Sequence, residues 1–273
     1  MSYAALMVHV DVEGDLGPQV KVAGELAGLF DAHLIGIAGW APMSVFLAED
    51  ALKDPMPPIP PLQDMKSALD ERGRQFRAAV ECSDRTVEWR SSLDFPADYI
   101  AREARAADLI IIGNGSKNRD PFRALDPGDL LLKAGRPVLV VPKGVGSFSI
   151  KRIAVAWKDV REARRAVFDA LPLLKMAKSI MIIEVSEGDA DPSWNRVKDV
   201  SSYLAQHHIE NISERLQPCE IGTAQSLLRV VQSENIDLIV AGAYGHSRLG
   251  EWVFGGVTRG LLADTPVCCL LSH

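Results

Sequence analysis

A doubly wound, mostly parallel α/β layer structure, written twice along the chain, is the fold class the sequence predicts. Three observations predict it. Short, near-continuous apolar runs rich in β-branched residues recur without the polar alternation of a half-exposed strand, which is the pattern of parallel strands buried on both faces. Helical patterns lie between those runs. The order of runs in residues 1–146 is repeated in residues 147–273: "AADLIIIGNGS" (106–116) answers "NIDLIVAGAYG" (235–245), and "AGRPVLVVPK" (134–143) answers "ADTPVCCLLS" (263–272).

In chain order, the first half places strands at Leu6–Asp11, Leu34–Ala38, Val87–Arg90, Leu109–Gly113 and Pro137–Pro142. The second half places them at Ile153–Trp157, Ile180–Val185, near Ile212–Leu216, Leu238–Gly242 and Pro266–Leu271. A helix over Ala97–Ala107 is announced by Pro96, since proline suits a first helical position. A second is expected over Glu162–Lys178, with Ala166, Leu173, Leu174 and Ala177 on a related face. Gly144-Val145-Gly146-Ser147 reads as the linker between the copies. Right-handed crossovers then give two five-stranded sheets related by a pseudo-twofold. The last strands, Val138–Val141 and Val267–Leu271, are expected to meet, because an exposed apolar edge invites aggregation. The repeat is broken by Ala41–Leu62, whose "PMPPIPP" (55–61) reads as a surface loop of polyproline character.

The 273 residues are 24% charged and 47% hydrophobic, an ordinary globular composition. A formal net charge of -6 argues against nucleic acid and anionic membrane as partners. No apolar run approaches the ~20 residues of a spanning helix, and the first residues lack the basic stretch of a secretory signal. A cytoplasmic location is the expectation. Cys82, Cys219, Cys268 and Cys269 show no metal or redox spacing, and the adjacent pair, in a strand, should point to opposite faces as reduced apolar residues.

The chemistry concentrates in "GAYGHSRLGEWVFGGVT", Gly242–Thr258. It follows a buried strand and opens a helix, and in open α/β sheets ligands sit beyond the carboxyl ends of the strands. Gly242 and Gly245 let backbone approach a ligand; Gly255, Gly256, Val257 and Thr258 present helix-start N–H groups, where negative charge is favoured. Thr258 adds a hydroxyl, and His246, Arg248 and Arg259 add positive charge nearby. These features suit a polyphosphate; the alternative is that the glycines serve only tight turns. Other phosphate-loop patterns are absent from the chain.

The spacing Gly-x2-Gly-x9-Gly at Gly242, Gly245 and Gly255, ahead of "PVCCLL", resembles the nucleotide-binding signature of the universal stress protein family. "VAWKDVREARRAV" (155–167) is similar to that family's first strand and helix, and the likeness extends along nearly the whole chain as two tandem copies. The resemblance implies a Rossmann-like, nucleotide-binding fold and an adenine nucleotide, ATP among them, with or without magnesium. Family members that bind ATP use an acid after the first strand for the adenosine, backbone after the second strand for the base, and the glycine loop with a following hydroxyl for ribose and phosphates. Carried over, these positions are Ala156, Trp157 and Lys158, then Val185, then Ala241, Gly242, Gly245, Gly255, Gly256, Val257 and Thr258.

Two positions depart from the pattern. The acid is replaced by Lys158, which has donors only, although Asp159 follows; Lys158 is expected to reach a phosphate or to pair with Asp159. The family's first small hydroxyl is Gly256, although Thr258 remains. Trp157 offers a ring face to a base, or packs in the core. The first half keeps an acid, Asp11, but its loop "GNGSKNRDPFRALDPGD" (113–129) has Gly113 and Gly115 too close and Gly128 too late. Asp126 and Asp129 there would repel phosphate.

The function so read is a regulatory or stress-response module with its nucleotide site in the second half. The competing class is an interaction scaffold that binds no nucleotide, presented to a regulated protein partner. An enzyme is the weakest class, a slow ATPase at most, because His246 is the one candidate base near the loop. The two halves are expected to mimic the homodimer of single-copy relatives, with a second copy of the chain as a further partner.

Overall fold

The chain starts its sheet with ALMVH, strand β1 (Ala5–His9), which is followed by α1 (Pro18–Phe30), β2 (His33–Gly39), α2 (Leu62–Val80), β3 (Val87–Ser92), α3 (Pro96–Glu103), β4 (Leu109–Gly113), α4 (Pro127–Lys133) and β5 (Val138–Val141). The second half runs β6 (Arg152–Trp157), α5 (Arg161–Asp169), α6 (Leu171–Leu174), β7 (Ser179–Ser186), α7 (Trp194–Gln206), β8 (Ile212–Pro218), α8 (Thr223–Ser233), β9 (Leu238–Gly242), α9 (Gly256–Asp264) and β10 (Cys268–Ser272). This computed structural model describes residues 2–13, 15–42, 60–80, 87–114, 122–186, 194–245 and 256–273. Residues 55–59 of the proline-rich stretch lie outside the described residues, as do Cys82, Gly115, His246, Arg248 and Gly255.

Local chemistry sets the element boundaries. Pro18 and Pro96 stand in the first turns of α1 and α3, where a missing N–H costs nothing. Asp31 closes α1 in the left-handed region at φ 52°, its N–H bonding Ala27 O. The single helix expected over Glu162–Lys178 is two pieces: α5 stops at Asp169 and α6 restarts with Pro172 in its first turn. Proline there withholds an i to i−4 bond and pushes its ring at the preceding turn, so periodicity alone misled.

All ten strands join in one sheet of order β3-β2-β1-β4-β5-β10-β9-β6-β7-β8. Each half has the same internal order, and reversing one about the β5–β10 contact reproduces the other, as a pseudo-twofold requires. Every pairing is parallel except that contact, where Leu270 stands opposite Leu139 and Cys269 opposite Val140. The last strands therefore meet as expected, but they do so by backbone pairing, so the two five-stranded layers are continuous rather than separate sheets.

Alternate residues of each strand feed cores on the two faces. Leu109 and Ile111 of β4 join one, with α1 and α5; Ile110 and Ile112 join the other, with α3, α8 and α9. Cys268 and Cys269 divide likewise between the faces. The edge strands are less buried and carry charge, with Glu88 and Arg90 on β3 and Glu214 and Arg215 on β8, which discourages further strand addition. Among the described residues no helix is long and apolar enough to cross a membrane.

Burial pushes the Cys268 thiol up to about 12 and raises that of Cys269 too, whereas Cys219 is half-buried. Thiolate, not thiol, is the reactive form. An alkylating reagent at neutral pH should therefore label Cys219 in the native protein and reach Cys268 and Cys269 only on unfolding. Residue-resolved mass spectrometry of the labelled chain reads this directly; native labelling of the pair would contradict the buried seam.

Candidate functional site

Strand β6 lies between β9 and β7, so the chain leaves it toward one side while its other neighbour arrives from the opposite direction. This is a topological switch point, where open α/β sheets leave a crevice at the strands' carboxyl ends. A cavity of about 820 Å³ occupies it. Its floor is Ala156, Trp157 and Lys158 of the β6 end, Ile183–Ser186 of the β7 end, and Ala241 and Gly242 of β9. Its walls are the start of α9 at Gly256, Val257 and Thr258, the start of α8 at Gly222–Gln225, Val160 and Ala163 at α5, and Arg196 of α7. Ten of the residues named in the sequence line this one cavity: Ala156, Trp157, Lys158, Val185, Ala241, Gly242, Gly245, Gly256, Val257 and Thr258. His246 and Gly255 lie outside the described residues, and Arg259 is exposed.

The geometry reassigns several of those residues. A Cβ on Gly242 would stand 2.5 Å from Ala163 N and 2.6 Å from the Glu162 carbonyl carbon, so the close approach of α5 requires glycine there by itself. A Cβ on Gly245 would lie 3.2 Å from Val160 Cγ2 and 3.3 Å from Glu162 Oε2. A Cβ on Gly256 would meet nothing within 4 Å, so this is the glycine whose bareness faces open cavity. Thr258 is buried, and its Oγ1 accepts a 3.2 Å bond from the N–H of Tyr244, itself at φ 59°. The hydroxyl thus ties the loop to the helix start and keeps its own proton to donate. Trp157 is 9% exposed, packed in the core that α5 covers, with one edge lining the cavity.

At the β6 end, Lys158 is exposed, and Asp159 pairs with Arg164 at 2.6 Å. Glu162, invisible as a site residue in the sequence, is buried in the first turn of α5, where a carboxylate suits the helix dipole. Burial alone would raise its pKa; the 2.5 Å bond from Arg161 Nε, a backbone bond and the charges of Arg161 and His273 outweigh it and hold the carboxyl below its usual range. Glu184 and Arg196 were also missed: Glu184 Oε1 accepts from Arg196 at 3.5 Å, and its side chain is 13% exposed. The α8 start was missed although "IGT" marks it, Gly222 at φ 104° preceding Thr223 with no side-chain cap.

In the described part of the corresponding first-half corner, the carboxylates are engaged with partners of their own. Asp126 caps α4, accepting a 2.8 Å bond from Gly128 N, so a carboxylate already holds the helix start. Asp129 pairs with Lys133 at 2.8 Å. Arg123 pairs with Glu13 and lies 5.1 Å over the Trp40 ring. By contrast, the first turn of α9 carries no acid.

Residues 149–273 match the model of the Universal stress protein family. Over 98% of its length the chain is similar to a universal stress protein from Archaeoglobus fulgidus DSM 4304, covering 95% of that chain at 16% identity and a TM-score of 0.76. Over 99% it is similar to a functionally unknown protein from Pseudomonas aeruginosa PAO1, covering 92% of that chain at 18% identity and a TM-score of 0.56. At such identities the likeness is one of fold. No curated protein matches the chain.

Proposed function

We propose, from the match of residues 149–273 to the model of the Universal stress protein family, that the second-half cavity binds an adenine nucleotide, and that the chain is a cytoplasmic, nucleotide-dependent regulatory or stress-response module. The observation that carries the reading is the convergence of ten described candidate residues on one cavity of about 820 Å³, a volume suited to a small-molecule ligand. Phosphates go to the α9 start, where the first N–H groups have no partner within the helix and Gly256 leaves room. The base lies toward Val185. No group of three or more His, Cys, Asp or Glu that could hold a metal ion gathers among the described residues, so magnesium would arrive bound to the phosphates.

The scaffold reading draws on one specific observation: Gly242 is explained by helix packing without any ligand. Calorimetry of the full chain with ATP, ADP and AMP separates the two. One nucleotide per chain is expected, with the longer phosphate chain preferred. Gly256→Val should weaken binding by on the order of tenfold, about 1.4 kcal/mol, by putting methyl groups where the phosphates lie, and should leave the melting temperature unchanged. Lys158→Asp should tighten it, by restoring an acceptor at the adenosine end. No heat at millimolar nucleotide would establish the scaffold instead.

A further inference from the structure

Trp157 and Glu184 are register partners on the adjacent parallel strands β6 and β7, so their side chains share a face. Both line the cavity on the side of α5 and α7. Each holds a buried polar atom with no hydrogen-bond partner: Trp157 Nε1, a donor, and Glu184 Oε2, an acceptor. Two such atoms on register partners are unusual in a protein interior, where nearly all buried polar groups are bonded. Beside Glu184 stands Arg196, more than half exposed and touching it only at 3.5 Å through the other carboxylate oxygen. At the β6 end itself stands Lys158, which has donors only, so that position offers no acceptor.

We propose that Glu184 and Trp157 together form the diol-reading subsite of this cavity, taking the vicinal hydroxyls of a ribose as Arg196 swings aside. The assignment rests on the nucleotide reading and deepens it. A carboxylate accepts from two hydroxyls at once, and the indole N–H donates to one hydroxyl oxygen, so the two unpartnered atoms are the complement of a diol. In doubly wound nucleotide folds an acid beyond the first βα unit serves the ribose hydroxyl by the same logic, and Glu184 stands in the second strand of its half. The acceptor absent from position 158 is supplied one strand further along the sheet.

The experiment compares ATP with 2′,3′-dideoxy-ATP by calorimetry on the full chain, for the parent, Glu184→Gln and Trp157→Phe. Glu184→Gln keeps shape and volume, and thermal melts accompany each variant. The parent should prefer ATP by about tenfold or more, as hydrogen bonds to a charged group warrant. Glu184→Gln should abolish most of that preference and Trp157→Phe part of it, with dideoxy-ATP affinity little changed. Equal affinities in the parent overturn the diol assignment and leave nucleotide binding standing. A preference that persists undiminished in both variants overturns it too. Absence of binding by either nucleotide overturns the nucleotide reading and the assignment with it.

Discussion

Gly242→Ala should unfold the protein at a markedly lower temperature than the parent, or prevent folding. The new Cβ would sit 2.5 Å from Ala163 N and 2.6 Å from the Glu162 carbonyl carbon, both backbone atoms that no rotamer change can move away. Relief requires lifting the first turn of α5 off the end of β9, which disturbs Ala163, Ala166 and Val167 where they pack in the core. Overpacking of this kind costs roughly 1–3 kcal/mol where side chains can yield, and more where backbone must. Gly113→Ala is the internal comparison, because the equivalent Cβ meets the flexible end of Gln19 at 2.8 Å. Gly256→Ala is the other, because it meets nothing within 4 Å. Thermal melts should rank the losses as Gly242→Ala, then Gly113→Ala, with Gly256→Ala indistinguishable from the parent. A Gly242→Ala protein as stable as the parent would mean that α5 does not approach so closely.

That ranking shows what a sequence can and cannot say about a glycine. The string of glycines marks places where a side chain is missing, and their position beyond a buried strand located the cavity. It does not record what fills the space: backbone at Gly242, open cavity at Gly256. The strands were legible because burial on both faces demands unbroken apolar runs such as LIIIG and LIVAG. The meeting of the last strands followed from the need to cover two apolar edges; their antiparallel pairing into one continuous sheet did not. The break between α5 and α6 was missed although Pro172 announces it, because the apolar spacing across it suited one continuous helix. Glu184 and Arg196 were not legible at all. They come from a strand and a helix with residues 187–193 between, and only the β6–β7 register and the packing of α7 bring them to Trp157.

Shortening both leucines of the central seam, Leu139→Ala with Leu270→Ala, should leave the protein close to unfolded at room temperature. The two stand opposite each other where β5 meets β10, and neither has measurable exposure. Burying an alanine in a leucine-shaped space costs about 2–5 kcal/mol at each site. Touching sites do not add simply, but the total approaches the roughly 5–15 kcal/mol that a folded protein has altogether. Because the core that holds this pair runs through both halves, from Tyr3 and Leu6 to Ile182 and Leu204, the damage cannot be confined to one of them. Denaturant unfolding followed by tryptophan fluorescence and by circular dichroism should move together to a lower midpoint in one transition. Two separated transitions, one near the parent's midpoint, would show that the halves are stable without their shared strand pair.

The antiparallel meeting of β5 and β10 has a different consequence for how the molecule can change. Between two separate chains a symmetric contact is governed by mass action and is lost on dilution. It also makes every substitution appear twice, once on each side of the axis. Here one covalent chain carries both sides, so the contact is unimolecular and its strength is independent of how much protein is present. Each side is also free to vary alone. The first commits Asp126 to capping α4 and sets Arg123 over Trp40, while the second starts α9 without an acid beside its crevice. Two scaffolds of the same strand order can thus diverge in chemistry without ever parting company.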